Sequence, residues 1–204
     1  MSRQAEVKRD TRETQIRIAT DLAALDPAHE GGAAEPDVET GLPFFDHMLT
    51  AMAFHGGFGL MVRAAGDVEV DPHHLVEDTG IVLGESLHTV FREGGAVRRF
   101  GHAVIPMDEA LSEATVDVCG RPTVVYRAEL PQQYAGSFAL WLLREFWSGL
   151  SMGARIALHL ECRYGENAHH MVEALFKAVG RAIGQAYSPA GPASRPGMST
   201  KGVI

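Results

Sequence analysis

Residues 71–80 read DPHHLVEDTG, and residues 167–175 read NAHHMVEAL. His73, His74 and Glu77 of the first stretch recur as His169, His170 and Glu173 of the second, so one HHxVE pattern occurs twice, 96 residues apart. In a chain of 204 residues that displacement is close to half the length. It marks a duplicated unit rather than a solenoid, whose period is about 20–50 residues.

The elements follow outward from the first motif. Residues 74–91 place Val76, Ile81, Leu83, Leu87 and Val90 at helical spacing, and REGGAVRRFG (92–101) breaks the helix. Upstream, 14–22 alternates Ile16 and Ile18 with polar neighbours as a half-buried strand does, and 26–37 is a turn-rich loop. A short strand at 38–42, a helix at 43–55 opened by Pro43, and a strand at 59–70 come next. After the break the order returns, with strands at 113–120 and 123–130, a helix at 137–152, a strand at 154–164 and a helix at 169–187. Each half thus runs strand, strand, helix, strand, helix, and HHxVE opens its last helix. The expected fold is α/β (in the α+β sense), internally duplicated, with four-stranded, mostly antiparallel sheets packed on paired helices. The first half spans 1–93 and the second 94–187; the tail, 188–204, is rich in Gly, Pro and Ser and reads as mobile on composition.

Bulk properties remove several function classes. The net charge is −8 with a pI near 5.6, and the charges are spread along the chain, so no nucleic-acid footprint is present. The N-terminus has no apolar signal core, and FALWLL (138–143) is far too short to span a bilayer. Two cysteines, Cys119 and Cys162, without a CxxC, argue against a disulfide framework or a thiolate zinc site and fit a reducing compartment. The chain reads as cytoplasmic, with neither nucleic acid nor membrane as a partner.

The two motifs carry the chemistry. In a helix Glu77 shares a face with His73 or His74, while the two imidazoles point about 100° apart, so one helix start can serve two different metal ions. Four imidazoles and two carboxylates make a donor set for two divalent ions. The rival pattern, Glu-x-x-His of carboxylate-bridged di-iron bundles, has the reverse order. Histidines that merely cap helices or line a polar surface are the plain alternative, and recurrence at matching positions counts against it. A further donor stands on the preceding helix: His47 in the first half, with Glu145 near its counterpart in the second. His29, His55, His88, His102 and His159 have no such support; His159, inside an alternating strand, reads as a hydrogen-bonded core residue.

Taken together, GLPFFDHML (41–49), GDVEVDPHHLVEDTGIVLGESL (66–87), RRFGHAVIPMDEAL (98–111), DVCGRP (117–122), ARIALHL (154–160), GENAHHMVEALFKAVGRAIGQA (165–186) and STKG (199–202) resemble the imidazoleglycerol-phosphate dehydratase family, from about residue 6 to 202. No DxDxT-type phosphatase segment is present, so the resemblance is to the monofunctional form. It implies dehydration of D-erythro-imidazole-glycerol phosphate to imidazole-acetol phosphate in histidine biosynthesis. It also implies two manganese ions per site, and 24 subunits built from trimers with sites at their interfaces. Residues alone leave zinc a fair choice, because nitrogen-rich sites bind it more tightly.

The resemblance assigns His47, His73, His74, Glu77, His169, His170 and Glu173 as metal ligands. Glu145 stands where the family has a histidine, a departure that substitutes a harder oxygen donor. Metals suit the reaction, because the carbon proton to be lost is not acidic in water, and a Lewis acid on the imidazole can pass electron density toward the departing hydroxyl. By the same resemblance Glu13 is the base, and Lys177 lies near the substrate. Arg99, Arg121, Ser199 and Lys201 hold its phosphate, which makes the tail a flap over the site. Two other classes remain open on the residues: a hydrolase using the metal pair to activate water, and a metal-nucleated assembly without catalysis.

Overall fold

Alternation along the strands decides the sheets. On Thr14–Asp21 the residues Thr14, Ile16, Ile18 and Thr20 are buried and their neighbours are not, and Ala110–Val118 alternates in the same way. The computed structural model describes residues 2–191. Its first half runs β1 (Gln4–Asp10), β2 (Thr14–Asp21), β3 (Asp37–Glu39), α1 (Pro43–Gly56), β4 (Gly59–Gly66) and α2 (His73–Glu93). The second runs β5 (Phe100–Met107), β6 (Ala110–Val118), β7 (Thr123–Arg127), a small hairpin of β8 (Tyr134–Ala135) and β9 (Phe138–Ala139), α3 (Leu142–Ala154), β10 (Ile156–Tyr164) and α4 (Ala168–Tyr187).

The two four-stranded sheets have one topology. The first is ordered β1-β2-β4-β3 and the second β5-β6-β10-β7. In each, three strands pair antiparallel, and a fourth (β3 or β7) lies parallel on the edge. Each half therefore places three strands of its four-stranded sheet before its first helix, not two. The additional strands are β1 and β5, both at sheet edges. Other boundaries shift as well. Residues 67–70 turn away after β4, the start of the expected helix at 137 is the β8–β9 hairpin, and Arg155, at φ 55°, separates α3 from β10.

The helices lie between the sheets, with α2 against β1 and β2, and α4 against β5 and β6. Across the middle, helices pair between halves: α1 with α4, and α2 with α3. Both pairs run parallel. Phe44 of α1 meets His169 of α4 at a ring separation of 5.3 Å, and at the other end Gly184 faces the Gly56 carbonyl. In α2 and α3, His73 meets Trp141, which precedes α3, and Gly84 faces Leu150 and Ala154. Glycine is required there, since a Cβ at Gly84 would lie 2.5 Å from the Leu150 carbonyl. Phe45, Phe146, Trp147 and Phe176 interlock at the centre, with rings 5.1 Å apart for Phe45–Phe146 and 4.5 Å for Trp147–Phe176. The halves thus share one apolar core.

His159 is exposed, because Leu158 and Leu160 take the buried face of β10; the expectation of a core histidine is corrected. The start of the tail pairs back on the chain, where Ala190 donates its N–H to the Ala96 carbonyl at 3.0 Å. Ser199, Lys201 and the flap expected of the tail lie outside the described residues. Among the described residues, no helix is long and apolar enough to cross a membrane.

Candidate metal centre

Because both helix pairs run parallel and Phe45 packs on Phe146, all four helix N-termini gather on one rim. Local sequence fixes where each helix starts. Asn167 caps α4 by accepting the His169 N–H at 2.9 Å, Asp71 accepts the His73 N–H at 2.9 Å, and Pro43 opens α1. The HHxVE motifs therefore occupy first turns, at the positive ends of the helix dipoles, where carboxylates are favoured company.

On this rim α1 and α4 build a triad. Glu173 Oε2 stands 3.3 Å from His47 Nε2 and 3.1 Å from His169 Nε2, and ligand atoms of the three residues lie within 4.8 Å of one another. Two donors at right angles on a cation, with bonds of about 2.1 Å, would be about 3 Å apart. Two imidazoles and a carboxylate at this spacing therefore fit a divalent ion. His47 comes from the first half, and its partners belong to the motif of the second. Burial pushes the Glu173 carboxyl up, but the Lys177 ammonium and His47 more than offset this and leave it below its ordinary value. Lys177 Nζ lies 2.7 Å from Glu173 Oε1, one helical turn along α4.

The second motif lies beside α3. His73 Nε2 is 3.6 Å from Glu77 Oε2, and the His73 ring is 6.0 Å from that of Trp141. Glu145 sits in the first turn of α3, half-buried. Its relation to His47 follows from the glycine contacts. Gly84 faces the Leu150 carbonyl and Ala154 amide, as Gly180 faces the Met52 carbonyl and Gly56 amide. Residues of α3 thus match those of α1 at an offset of 98, which carries His47 onto Glu145. Among the described residues, His73, Glu77 and Glu145 do not close to the spacing of the first triad.

The second histidine of each motif turns away from the first. The rings of His73 and His74 stand 86° apart, as do those of His169 and His170. His74 Nδ1 faces Glu13 Oε2 at 3.3 Å, and His170 Nδ1 faces Glu109 Oε2 at 2.8 Å. The His170 hydrogen bond raises that imidazole's pKa, and with backbone donors it holds the Glu109 carboxyl down to about 2. The turn carrying Glu13 is moored to α2, since Asp78 accepts Thr14 Oγ1 at 2.6 Å and Arg9 Nε at 3.0 Å. Asp78 and Glu109 were not singled out in the sequence. A signal for Glu109 was present, because the motif offset of 96 carries Glu13 onto Glu109; Asp78 had none.

The phosphate candidates lie elsewhere. Arg99 donates its N–H to the Ala186 carbonyl, near the far end of α4, and its guanidinium grips Asp117 at 2.7 and 3.2 Å. That contact raises the Arg99 pKa. Arg121 is exposed after Gly120, with Nη1 3.3 Å from the Cys119 carbonyl. Both follow the second sheet away from the rim, at the end where β6 finishes.

Known proteins resemble the chain over most of its length. The family model described as imidazoleglycerol-phosphate dehydratase matches residues 40–183. The imidazoleglycerol-phosphate dehydratase of Symbiobacterium thermophilum is 49% identical over 90% of this chain and 85% of its own length. That of Halorhodospira halophila is 48% identical over 99% of this chain and 98% of its own. Among solved structures, IGPD from Pyrococcus furiosus in complex with (S)-C348 superposes with a TM-score of 0.79 at 36% identity, covering 97% of this chain and all of that one. The Staphylococcus aureus imidazoleglycerol-phosphate dehydratase gives 0.78 at 33% identity, over 92% and 99%. The histidine–carboxylate rim therefore sits in a chain that belongs to the imidazoleglycerol-phosphate dehydratase family.

Proposed function

We propose that this chain is a hydro-lyase that converts D-erythro-imidazole-glycerol phosphate to imidazole-acetol phosphate in histidine biosynthesis. The observation that carries the reading is the triad of His47, His169 and Glu173, assembled between the halves of a member of this family. In the reaction the ring-bearing carbon loses its hydroxyl, the next carbon loses a proton, and the resulting enol becomes the ketone, so that one water leaves.

The ligands we assign are His47, His169, Glu173 and the outward-facing His74 and His170, together with His73, Glu77 and Glu145. The ions would be manganese, two per site. A bound ion would supply Lewis acidity to the imidazole ring. The oxygen-rich group of Glu77 and Glu145 favours a hard ion such as Mn²⁺. Glu13 Oε2, on the exposed turn beside His74, is the base we assign to the carbon proton. Lys177 Nζ, beside the triad, is the donor we assign to the departing hydroxyl. Arg99, Arg121, Ser199 and Lys201 would bind the phosphate, the arginines through their planar forks.

Arg99 and the triad sit at opposite ends of α4, so one substrate cannot touch both within a single chain. This supports sites shared between subunits and hence a homo-oligomer, which we propose to be a 24-mer built from trimers. We place the protein in the cytoplasm, consistent with its two free thiols. The test is product formation from imidazole-glycerol phosphate with Mn²⁺ and after thorough chelation. Loss on chelation and return with Mn²⁺ is expected; undiminished activity in the chelated enzyme overturns the assignment.

A further inference from the structure

Glu13 and Glu109 hold one place in the two halves. Each immediately precedes an inner strand, β2 or β6, and each carboxylate faces Nδ1 of the second histidine of its half's motif. Their surroundings differ. The Glu13 side chain is 56% exposed and stands 3.3 Å from His74. That of Glu109 is 35% exposed and lies 2.8 Å from His170, and its Oε1 also accepts the backbone N–H groups of Glu166 at 3.1 Å and Asn167 at 2.8 Å. One carboxylate thus joins the β5–β6 turn, the start of α4 and the His170 ring.

That arrangement selects a tautomer. An ionised carboxylate only accepts, so Nδ1 of His170 donates and the lone pair is left on Nε2. Asp108, 75% exposed, is 3.7 Å from this Nε2, beyond hydrogen-bonding distance. We propose that Glu109 is a positioning residue: it fixes the ring and tautomer of His170 so that Nε2 faces a divalent cation. Its counterpart Glu13, loosely held, is left free to move a proton. Duplication has divided one position into an orienting and a reacting carboxylate. The inference rests on the metal-binding reading of His170 given above.

Glu109→Gln separates the roles. The amide oxygen can still accept the two backbone N–H groups, so the helix start is kept. Its NH₂, facing His170, makes Nδ1 an acceptor and moves the ring hydrogen to Nε2, where it blocks a metal. Binding of Mn²⁺ to the full chain is followed by the electron paramagnetic resonance signal of the free ion, alongside thermal unfolding of the metal-free protein. E109Q is expected to weaken one class of Mn²⁺ site by about 10–100-fold with little change in unfolding temperature. It should add no further loss in a His170→Ala background. Asn167→Ala, which removes the cap on the His169 amide without touching the His170 ring, should lower the unfolding temperature and weaken Mn²⁺ binding less than E109Q does.

Wild-type Mn²⁺ binding by E109Q, or a loss in N167A as large as in E109Q, would show Glu109 to be a helix cap and overturn the proposal. Should E109Q fail to fold, N167A and Glu109→Ala decide: equal losses of Mn²⁺ binding in the two overturn it, and a loss confined to E109A supports it. If the wild-type chain itself binds no Mn²⁺, the metal reading falls first and this inference with it.

Discussion

If catalysis needs groups from two copies of the chain, two inactive variants should repair each other. From His169 to Ala186, whose carbonyl holds the Arg99 N–H, α4 advances 17 residues, or about 26 Å at 1.5 Å each. Glu13 and His74 sit with His169 on the rim. A ring, a three-carbon chain and a phosphate span less than about 10 Å. Arg99 and Glu13 of one chain therefore serve different substrates. Glu13→Gln should lower kcat by about 10²–10⁴-fold, and Arg99→Gln should raise KM for the phosphorylated substrate, so that at substrate well below that KM, where the assay is run, both variants are nearly inactive. When the two variants are mixed in equal amounts and allowed to exchange subunits, each site draws its Glu13 and its Arg99 from independent chains. About a quarter of sites then receive both wild-type groups, and activity should approach a quarter of the wild-type value. The assay is product formation on the mixture, with native mass spectrometry to establish that mixed particles are present. Mixed particles no more active than the mean of the two parents would refute the separation argument and place both groups in one chain's site.

Other consequences are read more simply. Ligating imidazoles must be neutral, so Mn²⁺ occupancy should fall as pH drops through about 6.5, and sooner at His170, whose pKa Glu109 raises; occupancy unchanged down to pH 4 would contradict this. Lys177→Met removes the cation that offsets the burial of Glu173, so this carboxyl should protonate at a higher pH, and metal loss on acidification, measured by equilibrium dialysis, should begin earlier than in the wild type. Glu145→His should raise affinity for Zn²⁺ relative to Mn²⁺, and Glu145→Ala should weaken both in competition titrations; unchanged binding in both variants would remove Glu145 from the ligand set. Gly84→Ala pushes a methyl into the α3 backbone and should cost about 1–3 kcal/mol, seen as several degrees in the unfolding temperature.

The strands and helices that face the core were legible because their patterns obey their periods, as β2 and β6 do. The two strands that were missed have physical reasons. β1 shows Lys8, Arg9 and Asp10 to solvent and contributes chiefly Ala5 and Val7 to the core, as edge strands commonly do. β5 reverses the usual pattern: its inward positions include Gly101 and Ala103, while Phe100 and Val104 point outward. Small residues are needed there because α4 presses against the strand; a Cβ at Gly101 would meet the Ala182 carbonyl and lie 2.8 Å from the Ala186 amide. His159 was misjudged although its strand marks it: Ile156, Leu158 and Leu160 form the apolar face of β10, and His159 and Glu161 alternate onto the other.

The candidate ligands were legible by repetition, but their grouping was not. The sequence left open which motif His47 serves, and only the parallel pairing of α1 with α4 brings it to His169 and Glu173. The same exchange sets α3, which carries Glu145, against α2, which carries His73 and Glu77. On the assignment proposed above, neither half alone would own a complete set of donors. A change at Glu145 would then act on a motif about 70 residues away in sequence, which would leave two centres free to diverge. On the same assignment, α1 with α4 would offer two imidazoles and one carboxylate, and α2 with α3 one imidazole and two carboxylates, before His74 and His170 add one imidazole each. The pair of centres should discriminate between soft and hard ions in opposite senses.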